Sequence, residues 1–177
     1  MFLRPKFFLV IIAILGGISC SRPDLSDPAV RAEILEEAID EKELLKTKRT
    51  VPYSGWIKRL GDTRKPLLLF KLKGMNLHGT AVKWRTDGSL EAIETYNEGI
   101  ATGRSRQWYP NGQLMLEINV LAGRNEGQCT AWYSNGSLRE QGTYKNGLRE
   151  GLWKHYSEDG ELNAKVLFKR GEEVFSK

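Results

Sequence analysis

The chain repeats itself with a period of 24 residues, and this period constrains its fold more than any other feature. Glycines recur at this spacing, at Gly55, Gly79, Gly103, Gly127 and Gly151. An aromatic residue stands five positions after each of the last four, at Trp84, Trp108, Trp132 and Tyr156. Several columns that share one period indicate a repeat protein, in which each unit is a single supersecondary element.

Each of the later repeats also carries a turn signal that ends nine residues after its glycine. The residue pairs are Asp87-Gly88, Asn111-Gly112, Asn135-Gly136 and Asp159-Gly160. Such a pair between apolar runs predicts a β-hairpin with a type I′ turn, because that turn needs positive φ at both central residues. Each repeat is therefore predicted to be a strand, a tight turn, a second strand and a return turn at the next glycine.

Strand alternation predicts which residues share a face of the sheet. Positions 11, 13, 15 and 17 after the glycine point the same way, and in one repeat they are Leu114, Leu116, Ile118 and Val120. The divergent first repeat keeps this register with Leu68, Phe70 and Leu72, although its turn is different and spans 61–64. We expect five hairpins, with roughly ten strands, whose stacked neighbours bury one continuous face.

The repeats resemble a known family. The segments that carry the resemblance read GRSRQWYPNGQLMLEINVLAG, GQCTAWYSNGSLREQGTYKNG and GLWKHYSEDGELNAKVLFKRG. They are similar to the bacterial variant of the MORN repeat, and the similarity extends over about 53–174. The resemblance implies an all-β fold, a single-layer antiparallel sheet of stacked hairpins used for binding or scaffolding. Some relatives are described as antitoxin-like components.

The first 19 residues are typical of a secretory signal peptide. Arg4 and Lys6 precede the apolar run 7–15, and small residues then lead to Cys20. The run is too short for a membrane-spanning helix, which needs about 20 apolar residues. A cysteine at this place resembles the lipidated residue of a bacterial lipoprotein, and ordinary cleavage after Ser19 is the alternative. With lipidation, the residue after the cysteine resembles the outer-membrane sorting signal of Gram-negative bacteria.

Residues 20–52 are predicted to form a tether with a short helix, and 53–177 the repeat domain. Asp27 and Pro28 are typical of an N-cap and a first helical position, and helix-forming residues continue to about Lys46. The apolar stripe of this helix is interrupted by glutamates, so the helix is expected to act as a spacer and cap. A partner-binding helix is the alternative.

The sequence shows no pattern typical of an enzyme, a cofactor site or a metal site. The two histidines, His78 and His155, stand in different repeats, and His155 is expected on the more polar face. None of the usual nucleophile, zinc or phosphate-binding motifs is present in the sequence. Cys129 is expected to be a small buried residue, with a reactive thiol as the alternative.

Two sets of residues are candidates for binding. The first is an aromatic ladder that could stack on the sugars of a glycan or simply pack between hairpins: Trp84, Trp108, Tyr109, Trp132, Tyr133 and Tyr156. The second is a basic patch that could approach anionic lipid or protect a sheet edge: Lys58, Arg59, Lys71, Lys73, Lys83 and Arg85. Nucleic acid is not an expected partner of an exported protein.

Together these features predict an exported, lipid-anchored scaffold that binds a protein at the bacterial envelope. The membrane would be contacted through the N-terminal lipid at Cys20. Two alternatives are an antitoxin-like inhibitor of a toxin and a module that binds glycan or cell wall through the aromatic ladder. No cofactor is expected.

Overall fold

The computed structural model describes residues 28–46 and 53–176 of the chain. Within these residues, thirteen strands form one open sheet in which all pairings but one are antiparallel. The prediction of an all-β, single-layer sheet is confirmed. The predicted signal peptide, 1–19, and the lipidation site, Cys20, lie outside the described residues.

Among the described residues, two helices and a short strand precede the repeats. Helix α1 is Pro28–Glu37, strand β1 is Ile39–Asp40 and helix α2 is Glu41–Lys46. Strand β1 pairs in parallel with the first strand of the repeats, so that it covers part of the sheet's N-terminal edge.

The repeats form a meander in which each strand pairs with its neighbours in sequence. The strands are β2 (Gly55–Leu60), β3 (Pro66–Lys73), β4 (Asn76–Trp84), β5 (Leu90–Asn97), β6 (Ile100–Ala101), β7 (Gly103–Trp108), β8 (Leu114–Leu121), β9 (Arg124–Trp132), β10 (Leu138–Lys145), β11 (Leu148–Tyr156), β12 (Leu162–Lys169) and β13 (Glu172–Ser176). The two-residue strand β6 pairs with β5 and lies off the main path. Strands β1, β6 and β13 account for the excess over the ten that the sequence predicts.

The prediction of one helix up to Lys46 is wrong, because the chain leaves the helix at Ala38. The Ala38 N–H donates the last bond of α1, to Ile34 O at 3.0 Å. The Asp40 carboxylate then accepts the Lys42 N–H at 2.8 Å and so caps the N-terminus of α2. The spacing of Asp40 and Glu43 is that of a capping box, a signal that the sequence did contain.

The turns at the Asn-Gly and Asp-Gly pairs are tight, but they are not type I′. In the pair Asn111-Gly112, positive φ occurs only at the glycine, at 85°. Gly112 N–H donates to Tyr109 O at 3.0 Å, and Tyr109 N–H donates to Gln113 O at 2.9 Å. These bonds define a three-residue hairpin loop, a type I turn closed by a left-handed glycine. The Asn111 side chain accepts the Gln113 N–H at 3.1 Å and thus stabilises the turn without positive φ at Asn111.

The type I′ geometry occurs instead at the return turns. Both central residues have positive φ in the pairs Gly74-Met75, Glu98-Gly99, Ala122-Gly123, Asn146-Gly147 and Arg170-Gly171. Because the twist of a type I′ turn matches that of the flanking strands, the sheet imposes this geometry even where the first residue is alanine or arginine.

The first repeat keeps the turn geometry of the later ones with a different residue in the critical place. Arg64 has φ 59° and stands where the later repeats have glycine. Arg64 N–H donates to Gly61 O and Gly61 N–H donates to Lys65 O, both at 2.9 Å. The predicted register of this repeat is therefore confirmed, at the cost of a non-glycine residue in the left-handed region.

The prediction that positions 11 and 13 share a face is wrong. A register shift follows each tight turn, so that Leu114 pairs with Trp108 whereas Leu116 pairs with Gln107. Because Gln107 and Trp108 are adjacent in their strand, the two leucines point to opposite faces. The extra residue, Met115, is a β-bulge that alternation alone does not predict.

The two faces of the sheet have separate cores. On the helix face, which α1 covers, the buried residues are Ala38, Leu69, Val82, Trp84 and Ile93, with Ile34, Leu35, Trp56, Leu90 and Trp108 packed against them. On the opposite, open face, a second cluster lies in the later repeats and comprises Ile118, Cys129 and Trp153, with Leu116, Tyr144 and Phe168 around them. The early repeats are thus buried mainly on one side and the late repeats mainly on the other.

Trp153 is the centre of the open-face cluster and is fully buried. Its ring makes edge contacts with Tyr144 and Phe168, at centroid distances of 5.0 and 6.3 Å. Its Nε1–H donates to Thr143 O at 3.2 Å. The indole lies directly against Gly142, where an added Cβ would be 2.2 Å from Trp153 Cδ2. Gly142 therefore provides the space that the indole needs.

We expect Gly142→Ala to lower the free energy of unfolding by about 3 kcal/mol, because the added methyl group overpacks the indole of Trp153. The exposed neighbour Thr143 supplies the control, since Thr143→Ala should change stability by only about 0.5 kcal/mol. Urea unfolding followed by circular dichroism measures both. Equal stability of the two variants would show that the indole does not occupy this space.

Candidate functional site

Successive repeats are joined by side-chain hydrogen bonds along the edge that carries the tight turns. Tyr109 Oη–H donates to Trp132 O at 3.0 Å, and Tyr133 Oη–H donates to Tyr156 O at 2.8 Å. The guanidinium of Arg85 donates to Trp108 O in the equivalent place. Each bond joins two residues that are 23 positions apart. The donor is the residue directly after the aromatic column, and it bonds to the next repeat.

The aromatic ladder is built into this framework. The side chain of Trp84 is only 8% exposed and belongs to the helix-face core, with Trp108 packed against the same core. Trp132 and Tyr156 are half-buried and pair across their hairpins with Leu138 and Leu162. These contacts are the cross-strand packing that was the alternative to a glycan site. The hydroxyls of Tyr109 and Tyr133 are hydrogen-bonded to backbone oxygens of the next repeat.

The six basic residues do not form one surface. Lys58 donates to Leu35 O at 2.9 Å and Lys71 lies over the ring of Trp56, both on the helix face. Lys73 is exposed near the end of β3. Arg59 and Lys83 lie on the open face, where both line a groove. Strand alternation separates neighbours such as Lys58 and Arg59, which are adjacent in β2 and point to opposite faces.

Arg59 and Lys83 are already paired with carboxylates of the same chain. The Arg59 guanidinium donates to Glu41 Oε1 at 2.8 Å, and this hydrogen bond holds the pKa of Glu41 below its usual value. Lys83 Nζ lies 2.9 Å from Glu91 Oε1. The positive charge near the groove is therefore largely balanced within the protein.

The groove occupies the open face of the early repeats and has a volume of about 530 Å³. Its floor is apolar and is formed by Leu68, Phe70, Leu72, Leu77, Ala81 and Ala92. Its rim is polar and includes Arg59, Lys83, Arg85, Glu91, Glu94 and Tyr96. Met115 and Gln107 close the side that faces the later repeats. Pockets of ~300–1,000 Å³ with an apolar lining are typical of binding sites.

One sequence column helps to explain why the groove is open at the second repeat and filled in the last one. The residues two positions after each repeat glycine are Ile57, Ala81, Ser105, Cys129 and Trp153. In the last repeat the indole of Trp153 fills the open face, whereas Ala81 and the neighbouring Ala92 leave a depression. The sequence contained an indication of the groove, because side-chain volume changes among the residues two positions after each repeat glycine.

Tyr96 and Glu94 form a polar contact at the groove's rim. The Tyr96 hydroxyl donates to Glu94 Oε2 at 2.6 Å. Burial, together with this hydrogen bond to a carboxylate, raises the pKa of Tyr96 to about 12. Both groups are thus satisfied within the protein, and the groove offers apolar surface rather than a free charge.

The late repeats place Glu140 beside two arginines and a histidine on the open face. Its carboxylate lies 3.2 Å from Arg149 and 3.6 Å from both Arg139 and His155. The expectation that His155 lies on the more polar face is wrong, because His155 and the buried Trp153 are two residues apart in β11 and point the same way. His78 lies in β4, in a different repeat.

Neither a metal cluster nor a membrane-spanning helix occurs in the part of the chain that the structure describes. Across 28–46 and 53–176, no three of the side chains of His, Cys, Asp and Glu meet in a way that could hold a metal ion. The helices within those ranges are also too short and too polar to cross a bilayer.

The fold is an open sheet of stacked hairpin repeats with a groove on one face. Three of its repeats match the family model described as MORN repeat variant, at residues 101–121, 125–146 and 149–170. The predicted resemblance is confirmed for these repeats, while the two repeats that form the groove's floor precede them. No curated protein matches the chain. MORN repeats are generally modules for interaction with proteins or membranes and are not a known enzyme family.

Cys129 is 3% exposed, which confirms the prediction of a buried residue. Burial, reinforced by the nearby negative charge of Glu140, raises the pKa of its thiol to about 11 from an ordinary 9.0. Because the folded protein keeps the thiol neutral, the thiol contributes stability below pH 9, and this contribution is lost as the pH rises towards 11.

We expect a Cys20→Ala protein to lose more stability between pH 9 and 11 than the Cys20→Ala, Cys129→Ala double variant. The free energy of unfolding in urea, measured across this pH range, gives the difference. The Cys20→Ala background leaves Cys129 as the only thiol, so its labelling by a thiol reagent at pH 8 should be slow until urea unfolds the protein. Parallel stability curves for the two proteins would contradict the raised pKa.

Proposed function

We propose that this protein is an exported, lipid-anchored MORN-repeat scaffold that binds a partner protein at the bacterial envelope. The observation that carries the binding role is the apolar groove on the open face of the early repeats. Its floor of aliphatic and aromatic side chains remains accessible beside a stiff sheet whose repeats are hydrogen-bonded to one another. Such a surface positions a partner without catalytic chemistry.

The chemistry of the groove indicates what the partner presents. Two of the three cations on its rim are paired with carboxylates, Arg59 with Glu41 and Lys83 with Glu91, and Arg85 donates to the backbone oxygens of Leu90 and Trp108. A charged ligand would have to replace these ion pairs, whereas an apolar side chain would gain from burial on the leucines, at about 25 cal/mol per Å². We therefore propose an apolar protein segment, anchored by one or two large side chains above Ala81 and Ala92.

Export and anchoring rest on the sequence of residues 1–20. The signal-like segment supports passage across the membrane, and Cys20 supports lipidation as the means of retention. Under this proposal residues 20–52 form the tether with its helices, and the mature protein is held at the envelope, at the outer membrane in a Gram-negative cell. Cleavage after Ser19 without lipid would give an unanchored exported protein.

Neither alternative function is favoured by a specific contact. A glycan-binding ladder needs exposed rings, whereas Trp84 lies in the helix-face core and Trp108 packs against it. An antitoxin-like inhibitor would need a toxin as its partner, and a neighbouring toxin gene would be the sign of one. The protein-binding scaffold is consequently the proposal that the groove supports best.

The groove can be tested by photocrosslinking in intact cells. We expect p-benzoylphenylalanine in place of Met115, which borders the groove, to crosslink one discrete partner protein. The same probe in place of Leu121 is the matched control, because Leu121 lies in the same strand but is 61% exposed and does not line the groove.

A second variant establishes that the crosslink depends on the apolar floor. Introducing Leu77→Asp into the Met115 probe protein should reduce the adduct about tenfold, since it places a charge on the surface that would be buried. A partner captured equally from Leu121, or equally with Leu77→Asp, would refute the groove as the binding site.

The anchor has its own test. Replacement by Cys20→Ala should move the protein from the membrane fraction to the soluble periplasmic or extracellular fraction, because the lipid attachment site is lost. A Ser19→Ala protein is the control, since a small residue before the cysteine is retained. Membrane retention of the Cys20→Ala protein would overturn the proposed lipid anchor, whereas the groove's crosslinks are expected to be independent of this result.

A further inference from the structure

The groove on the open face has the width of an α-helix. On one side it is flanked by Leu68, Phe70 and Leu72 of β3, and on the other by Gln107 of β7. Three strand spacings separate β3 from β7 in the sheet, which is ~14 Å at ~4.8 Å each. A helix with its side chains is about 10–12 Å across. One helix therefore fits between the two sides, above the small residues of the floor.

The groove is also long enough for a helix of several turns. From Leu68 to Leu72 it follows the strands for ~13 Å. A second hollow, of about 520 Å³, continues it beyond Leu68 to Leu67 and Thr86, beside the tight turns. We call this the tight-turn end of the groove, and the opposite end, at Leu72 and Tyr96, the return-turn end. The full length corresponds to about three turns of helix.

The backbone of the strands beneath the groove is already paired. Strands β3, β4 and β5 lie inside the sheet, and each is hydrogen-bonded to a strand on either side. An extended segment lying on the apolar floor would bury its own N–H and C=O groups without partners, which is unfavourable. A helix pairs these groups within itself. Its side chains alone need to contact the floor.

The opposite face of the same strands shows that a helix packs well on this part of the sheet. There α1 places Ile34 and Leu35 against the helix-face core, which includes Leu69, Val82 and Ile93 of β3, β4 and β5. The neighbours of these core residues in sequence point to the other face and line the groove. They are Phe70, Ala81 and Ala92. A helix in the groove would cover the second face of the sheet as α1 covers the first.

The tight-turn end of the groove carries an excess of positive charge. Arg59 and Lys83 are each paired with one carboxylate. Arg85 donates to two backbone oxygens, and it shares the negative charge of Asp87 with Lys65. Four basic groups thus stand with three acidic ones, the third being Asp87.

Towards the return-turn end the rim is acidic. It carries Glu94, whose carboxylate accepts the Tyr96 hydroxyl at 2.6 Å. A helix carries about half a positive charge at its N-terminus and half a negative charge at its C-terminus. It therefore complements the charges of the groove in one direction only, with its C-terminus at the tight-turn end.

From these observations we propose that the groove binds an amphipathic α-helix of the partner protein. The helix is about three turns long, lies along β3, β4 and β5, and directs its C-terminal end to the tight-turn end. Apolar residues spaced three and four apart face the floor. The inference rests on the proposed function, because it specifies the conformation and the direction of the partner in the same groove.

The test places p-benzoylphenylalanine at the two ends of the groove, in full-length chains in intact cells. Glu91 and Tyr96 both line the groove and lie in β5, where their separation in sequence corresponds to ~16 Å. A helix rises ~1.5 Å per residue, so we expect the two probes to crosslink to partner residues about eleven positions apart. An extended segment, at ~3.3 Å per residue, would give about five.

Mass spectrometry of the adducts gives both the spacing and the direction. The Tyr96 probe should crosslink nearer to the N-terminal end of the partner's segment, and the Glu91 probe nearer to its C-terminal end. A spacing of about five residues would overturn the proposed helix, and the reverse order would overturn its direction. Either result would leave the proposed scaffold role intact.

Missing adducts separate this inference from the proposed function. If Met115 captures a partner but the end probes do not, in proteins with the wild-type circular dichroism spectrum, the partner does not lie along the groove and the inference is wrong. The lack of a discrete adduct from Met115 would instead contradict the proposed function itself.

A variant of the captured partner tests the conformation of its backbone. Proline in the middle of the crosslinked segment, at a residue that itself forms no crosslink, should lower the Met115 adduct about tenfold, because proline breaks the interior of a helix. Alanine at the same position is the matched control and should leave the adduct unchanged. An undiminished adduct with proline would refute the helix.

Discussion

The hydrogen bond between one hairpin and the next is the interaction on which the rest of this structure depends. A single hairpin cannot bury an apolar face by itself, so each repeat owes its stability to its neighbours. Here the backbone ladder is reinforced at both margins of the sheet. Tyrosine hydroxyls join the repeats along one margin, and glycine N–H groups of the return turns do so along the other, as from Gly147 to Asn125 O at 2.9 Å.

The architecture could be predicted from the sequence because it depends on spacing. The period fixed the number of hairpins and the places of their turns, and the apolar alternation of Leu68, Phe70 and Leu72 fixed the register of a repeat that lacks the usual turn. What spacing does not reveal is the conformation within a turn. The Asn111 side chain bonds to the backbone and favours a type I turn, and the bulge at Met115 then sends neighbouring leucines to opposite faces.

The candidate site was predicted less well, for two physical reasons. Residue type alone left the aromatic ladder open to either glycan stacking or packing between hairpins, and Trp84 is in fact buried by a helix whose interrupted apolar stripe gave little indication of its packing. The basic residues were grouped by proximity in sequence, although odd and even positions of a strand point to different faces. The groove depends on small residues, Ala81 and Ala92, whose importance appears only when neighbouring repeats are compared.

The division of the core between the two faces gives the molecule distinct halves. A helix covers one face early in the array, and an aromatic cluster around Trp153 covers the other face later. The groove lies on the open face of the early repeats, which the aromatic cluster does not cover. The sheet itself runs through both halves without interruption, so that the groove and the aromatic cluster share one backbone framework.

The uniform hairpin unit also has a consequence for how such a chain can change over evolutionary time. Because each repeat contacts only its immediate neighbours, an in-frame duplication of one unit would insert a hairpin without disturbing the helices at one end or β13 at the other. Each added unit would lengthen the sheet by two strand spacings, about 10 Å. The distance between the N-terminal helices and β13 is thus a quantity that gene duplication can adjust in discrete steps, while the groove keeps its own chemistry.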